Sequence, residues 1–224
     1  MEFENRRQAG RELAERLGYL HGRHPIVLGL PRGGVVVARQ IADALEAPLD
    51  VLLVRKIGAP GRPELAIGAV GEGGVIVTNT DILRRLRLTQ QEVDEAARRE
   101  LAELDRRAVV LRRGRPPLPV TGRTVVLADD GIATGASVKA ALRVLRARGA
   151  SRIVLAVPVA PADVLEELSH STDHTICPNP RVWMRAVGNW YRDFSEVSDA
   201  DVVALLPEQP GDVPEQVTGH SRDR

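Results

Sequence analysis

Cysteine, lysine and aromatic side chains are all scarce in this chain of 224 residues, and each scarcity excludes something. Cys177 is the single cysteine, so no intrachain disulfide exists and stability has to come from an apolar core. Set between Ile176 and Pro178, it reads as core filling rather than as a nucleophile. Lysine occurs only at Lys56 and Lys139, in a chain that otherwise carries its positive charge on arginine. Each retained lysine is therefore worth noticing. The most apolar stretch, Ile153 to Ala162, is broken by Pro158 and Pro161 and is too short to span a bilayer. A net charge of +1 offers no bulk attraction to nucleic acid or to an anionic membrane. The opening MEFENRRQAGRELAERLG is charged and amphipathic, without an apolar signal core. The expectation is a cytoplasmic protein with neither nucleic acid nor membrane as partner.

What is present is an alternation of short apolar runs and amphipathic segments. Phe3 to Leu20 reads as a helix with Ala9, Leu13 and Leu17 on one face. Ile26 to Leu30 is a run suited to a strand covered on both faces, ended by Pro31-Arg32-Gly33-Gly34 and followed by a helix to Leu45. A second strand is expected over Leu49 to Val54. Strand, glycine turn, helix and strand in that order imply an α/β fold: an open, mostly parallel sheet with helices on both faces. Arg55 to Gly74 is glycine-rich and reads as a long loop or irregular hairpin, flexible over about 56–74, with a short strand at Val75 to Thr78. Thr89 to Arg107 reads as a helix opened by a Thr89/Glu92 capping box. After a linker at Arg112 to Gly122 come a strand at Val125, a helix to about Arg148 with Gly149 at its C′ position, and a strand over Arg152 to Ala160. A short helix over Asp163 to Ser169 and a strand over Thr175 to Cys177 follow. Residues 1–206 are expected to form one domain, with 207–224 a disordered tail.

The most informative stretch is VVLADDGIATGAS, Val125 to Ser137. Four apolar residues end in the adjacent acids Asp129 and Asp130, and a turn of small residues opens the next helix. In an open parallel sheet, ligands sit beyond the C-terminal strand ends. Thr134, Gly135, Ala136 and Ser137 place backbone N–H groups and two hydroxyls at a helix N-terminus, which suits a phosphate dianion. Two carboxylates so close repel each other and call for a cation, hydroxyl donors, or both. A phosphate pocket beside a diol or Mg²⁺ pocket suits a ribose 5-phosphate. Two acids at a strand end also occur in receiver domains and in phosphatases, but those leave the Pro31–Gly34 turn and the Thr-Gly turn unexplained.

The whole string resembles the phosphoribosyl-diphosphate (PRPP) motif of type I phosphoribosyltransferases. The resemblance extends to the strand–helix order from about Ile26 to Ile176. It implies that Asp129 and Asp130 contact the ribose hydroxyls and that Ala133, Thr134, Gly135, Ala136 and Ser137 take the 5-phosphate. It also places a diphosphate-binding turn at Pro31–Gly34, with Arg32 supplying charge-assisted contacts and Gly33 and Gly34 close backbone approach. Lys56, after the second strand, matches a lysine that similar enzymes set against the diphosphate, and the glycine-rich loop beyond it matches their mobile active-site loop. A solvated surface charge is the competing reading for Lys56.

In the same family a hood of terminal segments, here about 180–206 with the N-terminal segment, holds the acceptor. Trp190 or Tyr191 would stack on a base and Asp193 would accept from its N–H groups, unless these aromatics simply anchor the C-terminal segment. The resemblance implies transfer of 5-phosphoribosyl from PRPP, with Mg²⁺, to a nucleobase-like acceptor. Arg32, Lys56, Asp129 and Asp130 would be the catalytic set, the two aspartates also possible Mg²⁺ ligands. A homodimer is left open. One departure stands out: Ala133 occupies a position that is acidic in many purine-salvage members. It leaves Glu64, Glu72 and Asp193 as guesses for a general acid or base, and keeps alive a PRPP- or nucleotide-sensing protein without catalysis.

Overall fold

The computed structural model describes residues 2–207. The expected tail lies outside these, except for Pro207. Chain order explains the architecture. Helix α1 (Arg6–Arg16), N-capped by the Asn5 side chain, leads into strand β1 (Ile26–Gly29). Helix α2 (Gly33–Leu45) returns the chain to strand β2 (Leu49–Val51), which pairs with β1 in parallel. The expected strand through Val54 stops at Val51, because the chain leaves the parallel sheet there. Leu52 N–H still reaches the Gly29 carbonyl, at 3.0 Å, and Val54 begins a different sheet.

Of the two readings for Arg55 to Gly74, long loop or irregular hairpin, the structure takes the hairpin, so most of 56–74 is strand. β3 (Val54–Ala59) and β4 (Arg62–Gly71) form an antiparallel hairpin with register shifts around Gly58, and β5 (Val75–Thr78) adds a third strand. Buried Ile57, Ile67, Ala69 and Val70 supply the apolar face that glycine counting concealed. Helix α3 (Thr80–Leu86), capped by Asn79, was not legible as a separate element. Helix α4 (Gln90–Arg112) runs a turn beyond expectation, and its Thr89/Glu92 capping box forms as read.

Strand β6 (Thr124–Ala128) enters the sheet beside β1, and helix α5 (Ala136–Ala147) follows the acidic turn. Arg148 closes α5, and Gly149 follows with φ 77°. The run Arg152 to Ala160 divides at Pro158 into strand β7 (Arg152–Ala156) and strand β8 (Val159–Pro161). Proline has no N–H to give to a ladder, so the break falls there. Helix α6 (Ala162–Ser169), strand β9 (His174–Ile176), strand β10 (Asn179–Arg181) and helix α7 (Asp199–Leu205) complete the chain.

The parallel sheet has the order β2-β1-β6-β7-β9. Alternate residues on its strands feed two apolar layers. Val27, Val126 and Val154 pack toward α1, α2 and α4, while Ile26, Val125, Leu127, Ile153 and Leu155 pack toward α5 and α6. The α/β fold with helices on both faces is therefore as expected. The terminal segments meet: Phe3 N–H donates to the Trp190 carbonyl at 2.8 Å, and Arg192 and Asp193 N–H groups donate back to Phe3 and Glu4. Among the described residues, no helix is long and apolar enough to cross a membrane.

Candidate active site

From β1 the chain winds toward β2 on one side, and from β6 toward β7 on the other, so the gap between β1 and β6 is the topological switch point of the sheet. Gly29 and Ala128 pair across it, and the Pro31–Gly34 turn and the Asp129–Asp130 turn leave side by side. Contact is close enough to dictate residue type. A Cβ on Gly33 would overlap Asp130 Oδ2 and the Arg6 guanidinium, and one on Gly34 would sit 2.9 Å from the Ala128 carbonyl oxygen. Glycine is the side chain that fits. Arg32, Gly33, Asp129 and Asp130, with Phe194 above them, line a cleft of about 450 Å³.

Asp129 and Asp130 are partly buried. Asp130 N–H donates to Asp129 Oδ1 at 2.9 Å. Desolvation, and then the neighbouring Asp130 charge, push the Asp129 carboxyl well above its ordinary range. Asp130 is held twice from outside its own turn: Arg6 Nε donates to its Oδ2 at 2.6 Å, and the Tyr191 hydroxyl donates to its carbonyl at 2.6 Å. Arg32 Nη2 meets Glu196 Oε1 at 2.8 Å.

Ala133, Thr134, Ala136 and Ser137 are exposed, whereas Gly135 is buried and caps α5 in the left-handed region, φ 74°. The first α-helical bond of α5 runs from Lys139 N–H to the Gly135 carbonyl at 2.8 Å, so the N–H groups of Ala136, Ser137 and Val138 precede the ladder. No side chain caps this helix end. The turn is open to an anion.

Lys56 lies apart from Arg32. It opens a larger cavity, about 740 Å³, between the β3–β4 hairpin, α4 and the start of α5, where Ser137 and Ala136 also stand, and its ammonium pairs with Glu64 at 3.1 Å. The structure thus joins Lys56 to the turn that opens α5, and Arg32 to the paired acids.

Several expectations change. Tyr191 does not present a stacking face: it is buried against Phe3 and Phe194, centroids 5.5 and 5.1 Å away, with its hydroxyl used on Asp130. Trp190 stacks with the Arg181 guanidinium at 3.8 Å. Anchoring, the competing reading, describes both better. Asp193 faces a neighbouring cavity of about 430 Å³ and accepts from Ser195, which lowers its carboxyl below the ordinary value. Of the acids guessed as general acid or base, Glu64 is paired with Lys56, and Glu72 is buried against Arg112 at 2.7 Å. Cys177 behaves as core filling, its thiol pushed up to about 11 by burial. Arg6, Phe194 and Glu196 were missed. Arg6 reads in sequence as one more solvated arginine of an amphipathic helix, and its partner lies 124 residues away.

A family model described as a phosphoribosyl transferase domain matches residues 3–183. The chain belongs to the phosphoribosyltransferase family. It is 51% identical over 204 residues to two Mycobacterium tuberculosis proteins, "Putative phosphoribosyl transferase MT0597" of strain CDC 1551 / Oshkosh and "Putative phosphoribosyl transferase Rv0571c" of strain H37Rv. The match covers 91% of this chain and 46% of each relative, so this phosphoribosyltransferase chain spans about half their length. The crystal structure of TT1426 from Thermus thermophilus is similar over 92% of this chain and 98% of its own, at 48% identity and a TM-score of 0.85.

Proposed function

We propose that this phosphoribosyltransferase domain transfers 5-phosphoribosyl from PRPP to a ring nitrogen of a base-like acceptor, releasing diphosphate. The observation that carries the reading is the meeting of the Pro31–Gly34 and Asp129–Asp130 turns so tightly that Gly33 admits no side chain. The two turns build a single cleft with an arginine on one wall and two carboxylates on the other.

The residues fit a Mg²⁺ ion carried by the substrate rather than a resident one. Among the described residues no group of three or more His, Cys, Asp and Glu could hold a metal. Magnesium commonly binds through one or two carboxylates plus substrate phosphates, and Asp129 and Asp130 supply that number. Bound with the diphosphate, the ion would neutralise part of its charge.

The chain's own groups divide the remaining work. The N–H groups opening α5, with Thr134 and Ser137, take the 5-phosphate. Asp129 and Asp130 accept from the ribose hydroxyls. Arg32 exchanges Glu196 for the diphosphate, and Lys56 reaches it from the hairpin side. As the bond from ribose C1 to the diphosphate oxygen breaks, negative charge passes to the leaving group and positive charge grows on the ring. Arg32 and the two carboxylates stabilise these charges in place. The acceptor's ring nitrogen then forms the new bond to C1. Movement of the β3–β4 hairpin over the cavity would exclude water.

Calorimetry with PRPP and Mg²⁺, followed by diphosphate release across a panel of bases, tests the reading. Binding is expected, and the Asp129→Asn/Asp130→Asn double variant should weaken it at least about tenfold by loss of charge-assisted bonds. Failure of the wild-type protein to bind PRPP sinks the proposal. Binding without turnover on any base would instead mark a PRPP-sensing protein.

A further inference from the structure

Arg6 stands where three separately derived pieces of the molecule meet. Its Nε donates to Asp130 Oδ2, and its Nη1 donates to the Ser195 carbonyl at 2.8 Å. The guanidinium carbon lies 3.7 Å from the centroid of the Phe194 ring, which places the cation against an aromatic face. The third piece is the Pro31–Gly34 turn, since a Cβ on Gly33 would come within 2.6 Å of Arg6 Nε. With a side chain only 11% exposed, Arg6 is fixed rather than waving in solvent. A planar guanidinium has five donors in a rigid fork, so one arginine can hold a carboxylate and a carbonyl at once in a set orientation.

Holding Asp130 in this way has a chemical consequence. The contact engages Oδ2 of a residue that lines the cleft, so the guanidinium fixes how that carboxylate is turned. The Tyr191 hydroxyl fixes the backbone of the same residue from the other side. Both holds come from the terminal segments, whereas Asp130 belongs to the turn that follows β6. The orientation of the acid is thus tied to the docking of residues 190–195 on the N-terminal segment.

We propose that Arg6 is a positioning residue of the ribose site, which aims Asp130 at the ligand and makes that aim depend on docking of the 194–195 segment. The inference rests on the reading of Asp129 and Asp130 as the ribose-binding acids. It requires that loss of Arg6 harm recognition of the ribose and spare recognition of the diphosphate. The two ligands are therefore compared directly by calorimetry: PRPP with Mg²⁺, and inorganic diphosphate with Mg²⁺.

Arg6→Gln should bind PRPP about tenfold more weakly, the loss of one charge-assisted bond, while its affinity for diphosphate stays within about twofold. Arg6→Lys, which keeps a cation but not the fork, should recover part of the PRPP affinity. Phe194→Leu, which leaves Arg6 in place without its aromatic support, should show the same split in smaller degree, and it is the arm to use if Arg6→Gln does not fold. Equal losses for both ligands, or unchanged PRPP binding in Arg6→Gln, overturn the inference while leaving the ribose reading intact. A wild-type protein that binds diphosphate but not PRPP overturns the ribose reading, and this inference with it.

Discussion

Two regions of this molecule pair arginine with carboxylates distant in sequence, and the pairing does opposite things in them. Arg112, at the end of α4, is 2% exposed and bonds both Asp50 on β2 and Glu72 at the end of the hairpin. Its Nη2 also reaches the Val51 carbonyl at 2.7 Å. Asp50 accepts further from Val51 and Leu118 N–H groups, at 2.8 and 3.0 Å. Every carboxylate oxygen of this cluster already has a partner within the protein. In the cleft, Arg32 and Glu196 are 40% and 79% exposed, and Asp130, held by Arg6 through Oδ2, lines the opening. The same chemistry is structural where burial closes it and available where solvent reaches it. Buried pairs resist loss of a partner because an uncompensated charge is left behind, whereas exposed pairs contribute little.

Breaking the closed cluster should have the largest effect. Arg112→Met strands two buried carboxylates and should cost about 3–5 kcal/mol in urea unfolding. Replacing Asp50 and Glu72 with leucine in the same chain should restore most of that. An unchanged midpoint in Arg112→Met would show that the cluster is not closed.

The open region has a cost of its own. A carboxyl whose value rises on folding, as that of Asp129 does, binds more protons in the native than in the unfolded state. Stability of the ligand-free protein should therefore fall as pH climbs from about 3.8 toward the raised native value, with the full penalty present above it. Asp129→Asn should flatten this dependence in urea titrations between about pH 4 and pH 8, and should be the more stable protein at neutral pH. A wild-type curve that rises through the same window contradicts the assignment.

The smallest effect belongs to the exposed pair of Arg32 and Glu196. Glu196→Gln removes the anion that occupies Arg32, so PRPP with Mg²⁺ should bind about two- to fivefold more tightly at low salt. The gain should shrink as salt screens both competitors. Weaker binding in this variant would mean that Glu196 supports Arg32 rather than competing for it.

Much of the candidate site was legible because it is local. The Asp129–Ser137 turn follows its strand within a few residues, and so does Pro31–Gly34, so hydrophobic period and turn chemistry were enough to place both at strand ends. The Thr89/Glu92 cap and the mostly parallel character of the sheet were readable for the same reason. The β3–β4–β5 sheet was legible only in part: Val75 to Thr78 read as a strand, but a loop and an irregular hairpin stayed open before it, because its glycines signal turns while its apolar residues follow a bulged pairing that sequence spacing does not display. Tyr191 stayed open between base stacking and anchoring because an aromatic residue looks the same in sequence whether it faces a ligand or Phe3.

By itself, then, the sequence determined the family, the α/β class and the two turns at the ends of β1 and β6, all of them written in local patterns of residues. The tertiary structure alone decided which charges meet. Arg6 reaches Asp130 across 124 residues, Arg32 reaches Glu196 across 164, and Arg112 reaches Asp50 across 62. A charged side chain carries no local mark of its partner, because pairing depends on where the packed core delivers the two ends of the chain and on how much water it leaves between them.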